Sequence, residues 1–264
     1  MKCRSSRLAI GLYTSELHLA IPRIFIRFAH GYIVEYDAMS ISKSQFEALE
    51  KRYGSLWWSE EPDFWKEPFK NLVFTVLSQN TSSENCSRAY KSLSEKFEIT
   101  PNAIIKADIR DLKRAIKSGG LYNIKAKRLK EIAEAVVEKF NGDLTPLLAL
   151  PKEKAKQKLL ELPGVGNKTA DVLLTTRHTY RKVIPIDTHM NRIAKKLGLV
   201  KPDAKYDDTQ NALMKFIPSR YRERCAGLIW LLAKHTCKPH NPRCYECILV
   251  SVCKYESAMK KNKE

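Results

Sequence analysis

The chain has 264 residues and a formal charge of +18, from 47 Lys and Arg against 29 Asp and Glu, and 44% of its residues are hydrophobic. This composition excludes a disordered chain and allows one large or two small domains with a real core. The charge suits a polyanionic partner, nucleic acid before an anionic membrane, although a solvated lysine-rich surface explains it equally well. No apolar run is long enough to span a bilayer, and no secretion cleavage site follows the basic N-terminus, so we expect a cytoplasmic location.

Residues 1–38 mix short apolar pieces with scattered arginines and show no clear period. We expect them to form a peripheral extension, with Met39 as an alternative start of the protein. From Met39 the pattern is helical almost throughout, and the only strand-like stretch is RKVIPI at residues 181–186. The sequence therefore predicts an all-α protein of about ten helices.

The predicted helices are delimited by capping residues. Thr81 and Glu84 have capping-box spacing, Thr100 stands before Pro101, and Asp108 precedes a run that ends at a Gly-Gly pair. In chain order the helical stretches are ISKSQFEALEKRYG, EPFKNLVFTVLSQN, TSSENCSRAYKSLSEKF, TPNAIIKAD, DIRDLKRAIKSGG, NIKAKRLKEIAEAVVEKFNG, PKEKAKQKLLELPG, NKTADVLLTTRHTY, DTHMNRIAKKLG, YDDTQNALMKFI and RERCAGLIWLLAKHTC. In the sixth stretch one apolar face is predicted, formed by Ile124, Leu129, Ile132, Ala133, Val136 and Val137.

A Pro-Gly-Val-Gly turn at residues 163–166 connects two of these helices. Glycines allow a sharp turn that exposes backbone N–H groups, and the following helix adds its free N–H groups and the positive end of its dipole. This arrangement predicts an anion site, for which a DNA phosphate is the obvious ligand, although a plain helical corner has the same pattern.

Lys168 lies in the first turn of the helix that follows. The helix dipole disfavours a cation there, so we expect a lowered pKa and a neutral amine that can form a Schiff base with a sugar carbon. A solvent-facing lysine or a phosphate contact is the plainer alternative. Asp187, nineteen residues later, precedes another helix as a cap, and could also stabilise a cationic sugar.

Four cysteines near the C-terminus have the spacing C-x6-C-x2-C-x5-C. Thiolates this close bind a metal in a reducing cell, and a pair of structural disulfides is the less favoured alternative. The spacing alone leaves zinc and a [4Fe–4S] cluster equally open. The four residues are Cys237, Cys244, Cys247 and Cys253.

Taken in order, LPGVGNKTADVLL, IDTHMNRIAKKLGL and the cysteine pattern closely resemble the endonuclease III family of helix-hairpin-helix DNA glycosylases. The resemblance covers residues 39–255, includes VLSQNTS and GLYNIKAKRLKEIA, and leaves out residues 1–38. It implies two helical domains on either side of a DNA cleft. A six-helix barrel with the helix-hairpin-helix would span 65–180, and an iron–sulfur domain would combine 39–64 with 181–264.

The resemblance also implies roles for individual residues. Lys168 matches the nucleophile, Asp187 the catalytic aspartate, and Gln79 a glutamine that fills the gap left by an extruded nucleotide. The four cysteines would hold a [4Fe–4S] cluster, which favours iron over zinc. The implied DNA-binding residues are Gln79, Gly164, Val165, Gly166 and Lys125.

The implied activity is that of a base-excision-repair DNA glycosylase with AP lyase activity, because a lysine stands at position 168. Its partner would be double-stranded DNA containing a damaged base or an abasic site, with oxidised pyrimidines as the expected lesions. The resemblance further implies a monomer, without membrane contact, near the nucleoid of a prokaryote. A non-catalytic, metal-stapled DNA-binding protein of the same fold is the alternative.

Overall fold

The computed structural model describes residues 40–56, 63–175 and 183–255 and, as backbone, the segments 23–27 and 33–37. Within these ranges the chain is almost entirely helical, as the sequence predicts, so the all-α fold class is confirmed. No helix in the described ranges has the length and apolar character that crossing a membrane requires.

A β-hairpin lies inside the predicted extension. Strand β1 (Arg23–Arg27) pairs antiparallel with β2 (Ile33–Asp37), with Arg23 opposite Asp37 and Arg27 opposite Ile33. Neither RIFIR nor IVEYD alternates apolar and polar residues over its whole length, so the two-residue period of a strand does not mark them in the sequence. By contrast, the strand-like stretch at 181–186 forms no strand in its described part, since residues 183–186 have no regular structure.

Thirteen α-helices lie in the rest of the described chain. They are α1 (Lys43–Tyr53), α2 (Asp63–Lys66), α3 (Pro68–Leu77), α4 (Ser83–Lys96), α5 (Pro101–Lys106), α6 (Ile109–Ala115), α7 (Tyr122–Phe140), α8 (Thr145–Leu148), α9 (Lys152–Leu160), α10 (Asn167–Thr175), α11 (Thr188–Leu197), α12 (Tyr206–Phe216) and α13 (Arg222–His235).

Side-chain caps set several of these helix starts. Thr100 accepts from the N–H of Ala103 with Pro101 at the first position, and Asp108 accepts from the N–H of Arg110, as predicted. The cap predicted at Thr81 is wrong by one residue, because it is Ser82 whose hydroxyl accepts from Asn85. Local hydrogen bonding thus determines where these helices begin.

The helices enclose two hydrophobic cores. The first is built by α3 to α10, with Leu72, Leu129 and Leu174 among its buried residues. The second is built by α1 and α11 to α13, with Phe216 and Leu228 among its buried residues. The predicted domain boundaries stay a prediction, which this separation of the cores supports.

The long helix α7 departs from its predicted apolar face at one end. Leu129, Ile132, Ala133 and Val136 are buried in the first core, but Ile124 is 56% exposed. Lys125 is buried in its place, because its ammonium finds two carbonyl partners inside. The first turn of α7 therefore presents an apolar side chain to solvent.

Candidate active site

The turn between α9 and α10 leaves two backbone donors free. Val165 donates its N–H to the carbonyl of Leu162 at 3.1 Å, and the Gly166 carbonyl accepts from Ala170 at 3.0 Å, which starts α10. The N–H groups of Gly164 and Gly166 have no acceptor in the described chain, and both glycines are exposed. Free N–H groups at a helix start favour an anion, so two of the three predicted hairpin donors can serve one.

An arginine that the sequence did not single out lies over this turn. Gly164 has φ +69°, and a Cβ at this position would come within 2.4 Å of the Arg128 Nε. The Arg128 Nη1 donates to the Gln79 Oε1 at 3.2 Å. The guanidinium therefore connects the hairpin with the end of α3, where the predicted gap-filling glutamine is half-buried.

Lys125 has an internal role instead of an exposed one. It is 2% exposed, and its ammonium donates to the carbonyls of Leu77 at 2.7 Å and Gly119 at 2.8 Å. Burial lowers its pKa. This geometry gives no support to the prediction that Lys125 contacts DNA, because the ammonium is already occupied. It fixes the Gly119 turn beside the end of α3.

An exposed leucine follows that turn. Leu121 precedes α7 in a left-handed conformation, with φ +49°, and is 51% exposed. Non-glycine residues seldom adopt this conformation, and strained positions of this kind cluster at functional sites. A large apolar side chain that directly follows a Gly-Gly pair was the sequence signal that could have marked it.

Lys168 is the second residue of α10 and is half-buried. No residue in the described ranges forms a hydrogen bond or an ion pair with its ammonium. Burial lowers its pKa, while the nearby Asp187 carboxylate and the Cys86 thiol act in the opposite direction. The predicted lowering of the pKa is confirmed, with burial and not the helix dipole as its main cause.

Asp187 caps α11, as predicted, and is held at both oxygens. Its Oδ1 accepts from the N–H of Met190 at 2.8 Å, and its Oδ2 accepts from the indole Nε1 of Trp230 at 2.7 Å. Trp230 also packs edge-to-face on His189, with ring centroids 5.8 Å apart. No sequence signal marks Trp230, because it lies in an apolar helical run that is typical of a buried core.

The four C-terminal cysteines form no disulfide in the described part of the chain, and they line one cavity together with Lys196 and Thr236. Burial raises the pKa of Cys247 to about 11, with a further contribution from the neighbouring thiols. The described ranges contain no three His, Cys, Asp or Glu side chains gathered around a single point that a metal ion could occupy. What the fold shows is a shared cavity with four thiol donors around it.

A family model described as "HhH-GPD superfamily base excision DNA repair protein" matches residues 73–219. Endonuclease III of Thermotoga maritima is 38% identical over 189 residues, which cover 72% of this chain and 84% of that protein. Endonuclease III of Escherichia coli strain K12 is 30% identical over 189 residues, which cover 72% of this chain and 84% of that protein.

This chain belongs to the endonuclease III family of the HhH-GPD superfamily. The resemblance seen in its motifs is thereby confirmed. Among solved structures, this family member is similar to a non-covalent endonuclease III–DNA complex, with a TM-score of 0.68, 27% identity, and coverage of 84% of this chain and 99% of that one. A trapped endonuclease III–DNA covalent intermediate matches with a TM-score of 0.68 and 26% identity. A thermostable thymine-DNA glycosylase, 20% identical with a TM-score of 0.62, shares the fold.

Proposed function

We propose that the chain is a bifunctional base-excision-repair enzyme, which removes damaged bases from DNA and then cleaves the strand at the resulting abasic site. The observation that carries the proposal is the electrostatic interaction between Lys168 and Asp187. A half-buried lysine with a lowered pKa stands at the start of the hairpin helix, and its electrostatic partner is a carboxylate held in place by Trp230.

Binding of the substrate rests on the charge of the chain and on the hairpin. The formal charge of +18 attracts DNA, and the free N–H groups of Gly164 and Gly166 can hold one phosphate. Family members with 26–27% identity have been solved as complexes with DNA, one of them covalent. The partner proposed for this chain is therefore duplex DNA with a damaged base or an abasic site.

Base removal requires that the target nucleotide leaves the stack, because its glycosidic bond is unreachable inside a duplex. Two residues at neighbouring turns suit this step. Gln79 can enter the vacated position, and Leu121 is an exposed apolar side chain of the kind that wedges between base steps. The Lys125 ammonium ties together the turns that carry them, since it bonds to Leu77 and Gly119.

The chemistry then uses Lys168 as nucleophile. Its neutral amine forms a bond to C1′ of the sugar as the glycosidic bond breaks, and the base leaves with the electron pair and takes up a proton. Asp187 stabilises the positive charge that develops at the sugar. Ring opening gives a Schiff base, which acidifies C2′–H, and loss of that proton expels the 3′ phosphate by β-elimination.

We also propose that Cys237, Cys244, Cys247 and Cys253 hold a [4Fe–4S] cluster. Four thiols that line one cavity are the donor set of such a cluster, which would supply a structural cross-link between the tail and α13. Freshly purified protein is expected to be brown with about four irons per chain, as a single four-cysteine cluster requires. A colourless protein with one zinc would contradict this assignment.

The finer assignments follow from the same family. Oxidised pyrimidines such as thymine glycol are the proposed lesions, and a panel of lesion duplexes tests this preference against uracil, mismatched thymine and oxidised purines. The proposed DNA cleft lies between a barrel domain of residues 65–180 and a second domain of 39–64 and 181–264. Lys168 belongs to the first and Asp187 to the second. Chromosomal DNA as substrate is consistent with the expected location at a prokaryotic nucleoid.

The deciding experiment is borohydride trapping with Lys168→Gln, which keeps the side-chain length but cannot form an imine. We expect trapping and strand cleavage to be abolished, with binding to an abasic duplex within about tenfold of wild type, or roughly 1.4 kcal/mol. Lys106→Gln, an exposed lysine on α5, is the matched control for the loss of charge. Trapping at the wild-type rate would place the nucleophile elsewhere. Loss of binding would make Lys168 a phosphate contact in a non-catalytic DNA-binding protein.

A further inference from the structure

A buried carboxylate on the hairpin helix lies at the junction of the two cores. Asp171 belongs to α10 and is 0% exposed. Its Oδ2 accepts from the Tyr206 hydroxyl at 2.7 Å, the Gln210 Nε2 at 2.8 Å and the Lys156 Nζ at 3.1 Å. A buried charge is tolerated only when it is paired and hydrogen-bonded, so this group keeps α12 attached to α10.

The same two residues of α12 also hold the segment that leads to Asp187. The Tyr206 hydroxyl accepts from the N–H of Ile186 at 3.2 Å, and the Gln210 Nε2 donates to the carbonyl of Ile184 at 2.8 Å. Residues 183–187 have no helix or strand of their own. Hydrogen bonds from side chains of α12 therefore hold this segment in place, in the role that backbone hydrogen bonds have within a helix or strand.

These hydrogen bonds connect the two segments that carry Lys168 and Asp187. Lys168 stands three residues before Asp171 on α10, and Asp187 directly follows Ile186. The lysine lies on a helix of the first core, and the aspartate caps the start of a helix of the second. The polar network is thus a direct connection between their supports.

We propose that Asp171 is a positioning residue that sets, through Tyr206 and Gln210, the placement of Asp187 relative to Lys168. This inference rests on the proposed function. Burial, with the Asp171 hydrogen bond, raises the pKa of Tyr206 well above its ordinary value, which keeps its hydroxyl protonated as the donor to Asp171. Because a misplacement of about 1 Å can cost up to about hundredfold in rate, a small shift of this segment affects the chemistry more than the binding.

Tyr206→Phe tests the proposal, since it keeps the ring and removes only the hydroxyl that bridges Asp171 and Ile186. The matched control is Tyr53→Phe, which removes another buried hydroxyl, bonded to the Thr236 Oγ1 at 2.6 Å in the second core. Three quantities are measured for each variant: the free energy of unfolding, the affinity for a duplex with an uncleavable abasic analogue, and the single-turnover rate of base release from thymine glycol.

We expect both variants to lose similar stability and to bind the analogue like wild type. Base release falls by about tenfold to hundredfold in Tyr206→Phe only. Gln210→Met, which frees Ile184, gives the same selective loss and serves if Tyr206→Phe does not fold. If Tyr206→Phe and Gln210→Met release base as fast as Tyr53→Phe does, the positioning role of Asp171 is overturned, whereas the proposed function is not. A wild-type chain that neither releases base nor traps would overturn the proposed function, and this inference with it.

Discussion

Arg128 lies directly over Gly164 and donates a hydrogen bond to Gln79, so a side chain at position 164 would displace the arginine from the glutamine. Gly164→Ala tests this contact. The substitution has two costs. At φ +69°, alanine is in the left-handed region, which costs an L-residue roughly 1–2 kcal/mol. Its Cβ would also lie 2.4 Å from the Nε and 2.6 Å from the Cδ of Arg128, closer than such contacts ever occur.

The arginine side chain is flexible, so it will move away instead of breaking the hairpin. It then loses its hydrogen bond to Gln79, which contributes about 0.5–1.5 kcal/mol. Gly142→Ala is the matched control, because Gly142 has φ +81° and nothing within 4 Å of an added Cβ. Both variants are expected to have a lower free energy of unfolding because of the left-handed backbone, and the decrease should be somewhat larger in Gly164→Ala, which also loses the Arg128–Gln79 hydrogen bond.

DNA affinity separates the two variants further. Fluorescence anisotropy with an abasic-analogue duplex at fixed salt is expected to show Gly164→Ala binding about tenfold more weakly, or ~1.4 kcal/mol, with Gly142→Ala unchanged. Adding Arg128→Ala to Gly164→Ala removes the clash and shows whether the displaced arginine or the Cβ itself blocks the phosphate. The reasoning is refuted if Gly164→Ala binds DNA as tightly as Gly142→Ala.

Four further predictions concern the site and the N-terminal segment. Borohydride trapping on a preformed abasic site should speed up with rising pH, because only the neutral amine of Lys168 reacts, with a midpoint below the ordinary lysine value of 10.5. Asp187→Asn should move that midpoint lower still, since Asp187 raises the pKa of Lys168; an unmoved midpoint would disprove the coupling. Leu121→Ala should slow base release from a duplex by about tenfold if Leu121 is the wedge, whereas Leu56→Ala, equally exposed at 57%, should match wild type in the same single-turnover assay. A chain that begins at Met39 should fold and cleave lesion DNA, and a lower thermal unfolding temperature would show that the preceding hairpin packs on the core.

The features that the sequence by itself determined are local ones. The glycine turn before Lys168, the cap at Asp187 and the caps at Thr100 and Asp108 depend on backbone conformation and on hydrogen bonds that span only two or three residues. The order of these motifs, with the closely spaced cysteines, was enough to indicate the family. Such signals are legible because the residues that make them are neighbours in the chain.

Only the tertiary structure decided which side chains surround those motifs. Trp230 reaches Asp187 across 43 residues, Arg128 reaches Gln79 across 49, and Lys125 is drawn inside by a carbonyl 48 residues away. No spacing rule links such partners, and an arginine on a helix reads the same whether it faces solvent or a hairpin. Lys125 shows the physical reason: a cation goes inside only where the fold brings carbonyl oxygens to meet it, and that meeting is a property of packed helices.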